Sequence, residues 1–167
     1  VGYAEVFLQR HENLYGLRKI KNILSTDEHR WTQSKNDILK SLFDGNQNNI
    51  NKITEKIIGC AYIVSNVLGC GFLEKVYENA LAHELTKLGF KVSQQHEIKV
   101  FYDDVEVGKY IADLFVEDCV IVEIKAISGL DKSQIAQCLN YLKATKLKVG
   151  LLINFGKPRI EIKRVSL

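Results

Sequence analysis

Three ionisable residues stand out by where they fall. Asp113 closes the stretch Tyr110-Ile111-Ala112-Asp113, and Glu123 and Lys125 close Val120-Ile121-Val122-Glu123-Ile124-Lys125. Both stretches are otherwise apolar and read as buried strands. A carboxylate buried in a sheet costs several kcal/mol unless it is paired or meets a cation. Period-two alternation puts Glu123 and Lys125 on one face of their strand. Two carboxylates beside one ammonium would form an oxygen-ligand site for Mg²⁺ or Mn²⁺. A plain Glu–Lys ion pair is the commoner meaning of Glu-x-Lys. An Asp on a neighbouring buried strand shifts the balance toward a metal.

The site imposes a register. Asp113 reaches the face of Glu123 only if paired residue numbers add to 236, which requires three connecting residues, Glu117-Asp118-Cys119, or a bulge. A two-residue turn would add to 235 and send Asp113 to the opposite face. With 236, Ala112, Leu114 and Val116 lie against Ile124, Val122 and Val120, forming one apolar layer.

The elements that position these residues follow from periodicity. Residues 1–49 carry short apolar pieces suggesting two or three weak helices and end in a turn-rich run, Asp44-Gly45-Asn46-Gln47-Asn48-Asn49, that reads as a linker. Charge does not separate 1–49 from 50–167: seven basic and six acidic residues stand in the first, sixteen and fourteen in the second. Ile50 to Leu68 has helical spacing, interrupted by Gly69-Cys70-Gly71. A second helix presents Leu73, Val76, Tyr77, Ala80, Leu81, Leu85 and Leu88 and stops at Gly89. Strands follow at Val92–Tyr102, Glu106–Val116 and Cys119–Lys125, with a turn at Asp103-Asp104. A helix over Ser133–Thr145, capped by Asp131 or Ser133, precedes strands at Val149–Asn154 and Ile160–Val165. The order ααβββαββ describes an α/β fold, a mixed sheet flanked by helices.

Cys60, Cys70, Cys119 and Cys138 form no CxxC pair and sit in apolar stretches. They read as reduced core residues of a cytoplasmic protein rather than zinc ligands. No apolar run is long enough to span a membrane. The net charge of +3 excludes a strong overall polyanion signal. Lys143, Lys146, Lys148, Lys157, Arg159, Lys163 and Arg164 concentrate base toward the C-terminus, a pattern as common on plain solvated surface as on phosphate-binding surface. On the helix over 133–145, Gln134, Gln137 and Tyr141 form a polar stripe opposite Ile135, Cys138, Leu139 and Leu142.

Asp113 with Glu123-Ile124-Lys125 resembles the D…(D/E)xK core of the PD-(D/E)XK nuclease superfamily. Gly71-Phe72-Leu73-Glu74-Lys75-Val76-Tyr77 is similar to the signature of its GxxExxY branch. Further likeness runs through Glu78-Asn79-Ala80-Leu81, Gln137-Cys138-Leu139-Asn140-Tyr141, Gly150-Leu151-Leu152-Ile153-Asn154-Phe155-Gly156 and Lys163-Arg164-Val165, covering about 50–167. Residues 1–49 lie outside it, as an N-terminal extension to a nuclease-like domain. Four positions depart from the family pattern: Cys70 for proline, Ser65 and Gln134 for histidines, and Ile111 for a basic residue.

The resemblance implies a restriction-endonuclease-like αβββαβ core with flanking helices. It implies Mg²⁺- or Mn²⁺-dependent phosphodiester hydrolysis of nucleic acid, DNA before RNA. Asp113, Glu123 and the Ile124 carbonyl would hold the metal, Lys125 would act in catalysis, and Glu74 and Gln137 would assist. Glu78 shares Glu74's position with a weaker case. By itself each is an ordinary solvated helix residue. Many nucleases with this core dimerise, which makes a homodimer an expectation. The alternative is a nuclease-fold protein with little or no activity, acting as a nucleic-acid-binding or assembly module. A protein-interaction role driven by residues 1–49 is a third reading.

Overall fold

The computed structural model describes residues 28–167, with side chains from residue 47 onward. The chain divides into two compact units, 1–46 and 47–167. Helix α1 (Glu28–Leu68) runs without a break through the polar run 44–49, where a linker was expected. One Gly in a helix interior costs only about 1 kcal/mol, and a helix already nucleated extends cheaply. Gln47 Nε2 donates to Asn51 Oδ1 one turn on (3.3 Å), and Arg164 reaches the same oxygen (2.7 Å). The apolar pieces before residue 28 lie outside the described residues.

Helix α2 spans Glu74–Lys87, followed by β1 (Val92–Tyr102), β2 (Val105–Val116), β3 (Val120–Lys125), α3 (Lys132–Thr145), β4 (Val149–Asn154) and β5 (Glu161–Ser166). The strands form one sheet in the order β1-β2-β3-β4-β5. Only β3 and β4 are parallel, and α3 makes the crossover between them. The architecture is a mixed α/β fold of the restriction-endonuclease type. On one face of the sheet α1 and α2 bury Ile57, Ala61, Tyr77, Leu81 and Leu85 against Leu114, Val122, Ile124 and Leu151. On the other, α3 lays Cys138, Tyr141 and Leu142 over Ile98, Ile121 and Val165. Gly150 lets α3 approach closely, since a Cβ there would stand 2.8 Å from the Cys138 sulfur.

Local chemistry explains the element ends. α2 closes in a Schellman motif: Gly89 takes φ +82°, its N–H donates to Thr86 O, and Phe90 N–H donates to Leu85 O. α3 opens with a capping box in which Asp131 accepts from Ser133 N–H and Gln134 accepts from Asp131 N–H. Gln134 therefore serves the helix cap rather than only standing on the polar stripe. Asp103 and Asp104 both take positive φ, giving the two-residue turn that matches strand twist.

Two buried faces differ from expectation. Val76 of α2 and the residues that cap it, Leu73 and Leu88, are exposed, whereas Glu78 is buried at 3% exposure. The helix is rotated because partners from β1 satisfy that carboxylate, as described below. Cys60 and Cys138 are buried as expected, but Cys119 is half-buried and Cys70 is exposed between Gly69 and Gly71. All four are free thiols.

Candidate metal and active site

The β2–β3 register adds to 236: Leu114 pairs with Val122, Phe115 with Ile121 and Val116 with Val120. Glu117 and Asp118 make the turn with positive φ, and Cys119 N–H donates to Val116 O. The three-residue connection is present. The regular ladder ends at Leu114, however, one residue short of Asp113. The β1–β2 ladder likewise passes from Gln94–Leu114 to His96–Ala112, leaving out Gln95 and Asp113. Gln95 takes φ +52° there, a conformation costing a non-Gly residue about 1–2 kcal/mol. Ala112 packs into the α3-side core and Leu114 into the opposite one, so side-chain alternation switches at Asp113. The expected layer of Ala112, Leu114 and Val116 thus holds for the last two only.

Released from the ladder, the Asp113 carboxylate replaces a strand bond. Its Oδ2 accepts from Ile124 N–H at 2.7 Å. This contact draws Asp113 to β3 next to Glu123, a residue 3% exposed. Lys125 Nζ donates to Glu123 Oε1 at 2.8 Å, so the Glu–Lys pair is real, yet it uses only one carboxylate oxygen. Glu123 Oε2 is buried with no hydrogen-bond partner.

Helix α2 delivers two further acids. Glu74 Oε1 accepts from Ala126 N–H (3.2 Å), which places it on the exposed rim just past Lys125. Glu78 is held by Lys75 Nζ (2.6 Å), Gln94 Nε2 (2.9 Å) and Gln95 Nε2 (2.7 Å). The Gln95 amide also reaches Asp113 Oδ1 at 3.4 Å, bridging the two carboxylates. Gln95 was missed by sequence reading, since nothing in a polar residue of an edge strand announces a bridging amide. Tyr77 shapes this end of α2: its hydroxyl accepts from Phe72 N–H and donates to Gly69 O, and its ring stacks on Phe155 at 4.6 Å. The glycine–tyrosine spacing of 71–77 thereby fixes where Glu74 begins the helix.

Electrostatics reflect crowding of like charge. Burial, then the charges of Asp113 and Glu74, push Glu123 up to about 7 against the pull of Lys125. Burial raises Asp113 as well, opposed by the Ile124 N–H and Lys125, with Glu78 and Glu74 adding to the rise. Burial alone would lower Lys125, but its bond to Glu123 and the charges of Glu123, Glu74 and Asp113 hold it above its ordinary value. Four carboxylates meet two ammoniums, an arrangement that favours a cation.

No three His, Cys, Asp or Glu side chains stand already gathered around an ion position among the described residues. Glu123 is turned to Lys125 and Asp113 to a backbone N–H. The donor chemistry nevertheless fits Mg²⁺ or Mn²⁺: hard oxygens, and a buried carboxylate oxygen with a lone pair to spare. Of the expected ligands, Asp113 and Glu123 are adjacent. Ile124 joins them through its N–H, as donor to Asp113.

Gln137 lies on α3, where its Nε2 donates to the Tyr141 hydroxyl at 2.6 Å. Tyr141 was expected on the exposed polar stripe but is buried, its hydroxyl 3.4 Å from Ile111 O. Burial and the Glu123 charge push its phenol up to about 12. Gln137 thus touches the site through that phenol.

The loop after β3 is clamped from below. Asn154, fully buried, accepts from Ile127 N–H and Gly156 N–H and donates to Ile127 O and to Glu161. A Cβ on Gly156 would collide with the backbone of Ile127. Of the C-terminal basic residues, Lys157 pairs with Glu161 and Arg164 with Asn51.

A sheet carrying Asp113 and Glu123-x-Lys125 between α2 and α3 defines a class, and the comparison with protein families agrees. Residues 51–165 match the PD-(D/E)XK nuclease superfamily, and the chain belongs to it. No curated protein matches the chain. Among solved structures it is similar to the crystal structure of SSO0001, at 20% identity and a TM-score of 0.43, over 70% of this chain and 58% of that one. The chain therefore spans little more than half of that protein's length.

Proposed function

We propose that the protein is a nuclease of the GxxExxY branch that hydrolyses phosphodiester bonds of DNA, in the cytoplasm, with Mg²⁺ or Mn²⁺. The observation that carries this reading is the buried, unpartnered Glu123 Oε2, which lies in the field of the Asp113 and Glu74 carboxylates. A fold with no use for a cation gains nothing from such an atom. Asp113 and Glu123, with the Ile124 carbonyl, would hold the ion, and Glu74 would complete its shell from the rim. A divalent cation there supplies Lewis-acid stabilisation of charge on the phosphate.

The chain's own groups do the rest. Lys125 places a positive charge beside the reacting phosphate and can orient the attacking water. Gln137 holds the Tyr141 hydroxyl, and with it the wall of the site on the α3 side. The Tyr77 clasp and the sequence from Gly71 to Tyr77 support the branch assignment. Four free thiols agree with a reducing compartment. Among the described residues no helix is long and apolar enough to cross a membrane.

The test is cleavage of labelled single- and double-stranded DNA and RNA with Mg²⁺ or Mn²⁺. Glu123→Ala and Lys125→Ala should each lower the rate by about 100-fold or more. Wild-type protein that binds these substrates and cuts none would establish the binding-module alternative instead.

A further inference from the structure

A strained residue on the edge of the sheet steers Asp113. Gln95 lies on β1, the first strand of the sheet, and is exposed. Its φ of +52° costs about 1–2 kcal/mol, and an exposed side chain recovers none of that through core burial. What the conformation provides is a gap in the ladder. Neither Gln95 nor Asp113 takes part in the β1–β2 pairing, which passes around them from Gln94–Leu114 to His96–Ala112.

Across that gap the amide meets two carboxylates. Gln95 Nε2 donates to Glu78 Oε2 at 2.7 Å and reaches Asp113 Oδ1 at 3.4 Å. An amide nitrogen carries two protons, one for each acceptor. Asp113 is thereby held at both oxygens, Oδ2 by the Ile124 N–H at 2.7 Å and Oδ1 by Gln95. Glu78 is buried and is itself fixed by Lys75 and Gln94, so it serves as the anchor of the amide.

The chemistry of this contact suits a ligand kept ready for a cation. A lysine or arginine here would hold Asp113 more firmly, but its charge would compete with a metal ion. A neutral amide orients the carboxylate and leaves its negative charge in place. The long contact at Oδ1 also leaves that oxygen a lone pair for coordination. We propose that Gln95 is a positioning residue for the metal, anchored on Glu78 and acting through Asp113. This rests on the nuclease reading, in which Asp113 is a ligand, and gives Glu78 the task of supporting the site instead of binding the ion.

The experiment is Mn²⁺ binding to the full chain without nucleic acid, followed by electron paramagnetic resonance of the free ion, with urea unfolding in EDTA for each variant. Gln94 supplies the comparison, because its amide donates to Glu78 and Asn79 instead of to Asp113. Gln95→Ala should weaken Mn²⁺ binding about 10-fold or more, while Gln94→Ala keeps the wild-type affinity. Gln95→Gly takes the positive φ without strain and should lose the same affinity whichever way its urea midpoint moves. Asp113→Asn should abolish binding, which ties the ion to this site. Equal losses in the Gln94 and Gln95 variants, or none in either, mean that the amide only satisfies Glu78; this overturns the positioning role and leaves Asp113 a ligand. Mn²⁺ binding that ignores Asp113→Asn, or that wild type lacks, overturns the metal reading and the positioning role together.

Discussion

Replacing Glu123 by Gln should stabilise the metal-free protein above neutral pH while disabling its site. In the fold Glu123 is raised from 4.5 to about 7, chiefly by burial. An acid whose folded value lies above its unfolded one binds an extra proton in the native state. That contribution is fully present below about 4.5 and is lost as pH rises toward 7. At 1.36 kcal/mol per unit, the ionised carboxylate costs the fold roughly 3 kcal/mol above neutrality. Gln keeps the shape and an oxygen for Lys125 but cannot ionise. Urea unfolding in EDTA, followed by circular dichroism, should show Glu123→Gln more stable than wild type by roughly 2–3 kcal/mol at about pH 8 and nearly equal to it at about pH 4. Added Mg²⁺ should then stabilise wild type alone. A Gln variant less stable than wild type at pH 8, or a difference that does not change with pH, would refute the claim that this carboxylate is buried at a cost.

Three further outcomes follow from the same geometry. Gln95→Ala removes the amide between Glu78 and Asp113 and should raise the Mg²⁺ concentration needed for half-maximal cleavage, with a smaller change in the rate at saturating metal. Asn154→Ala takes the partner from the N–H and C=O of half-buried Ile127 and should cost about 2–4 kcal/mol in urea unfolding, the sum of more than one lost hydrogen bond. A thiol reagent should modify Cys70 readily and Cys119 slowly in the native protein, reaching Cys60 and Cys138 only on unfolding; burial, and then the Glu123 charge, push the Cys138 thiol up to about 11.

The strands and their register were legible because they depend on local alternation and on the count of residues between Val116 and Val120. The requirement that Asp113 share a face with Glu123 called for a three-residue connection or a bulge, and the ladder has the three-residue connection. The break in alternation at Asp113 was not legible, because it comes from a side chain substituting for a strand bond, with Gln95 strained across from it. Glu78 shows the same limit. A buried glutamate looks forbidden on α2 until two glutamines from the start of β1 are brought beneath it. At 44–49, where a linker was expected, the helix continues because residue preferences of tenths of a kcal/mol yield to helix propagation, while the boundary between the two compact units falls within the same run. Among the site residues, Asp113, Glu123 and Lys125 were visible as charges in apolar strands. Tyr141 was misplaced because a Tyr spaced with glutamines looks polar, whereas its ring is wanted by the core.

The parallel seam between β3 and β4 bears on when the site is assembled. Its other strand pairs join neighbours in the chain and can form early. The pairing of Val120–Lys125 with Val149–Asn154 must wait until α3 and its loops have closed the intervening stretch. Glu123 and Lys125 lie on that late seam, and Asn154 locks the loop beyond it. A chain stalled during synthesis or refolding would carry hairpins and helices but no assembled site. If the chain cuts as proposed, cutting should return with the slowest refolding phase, and a half-made molecule would spare the nucleic acid around it.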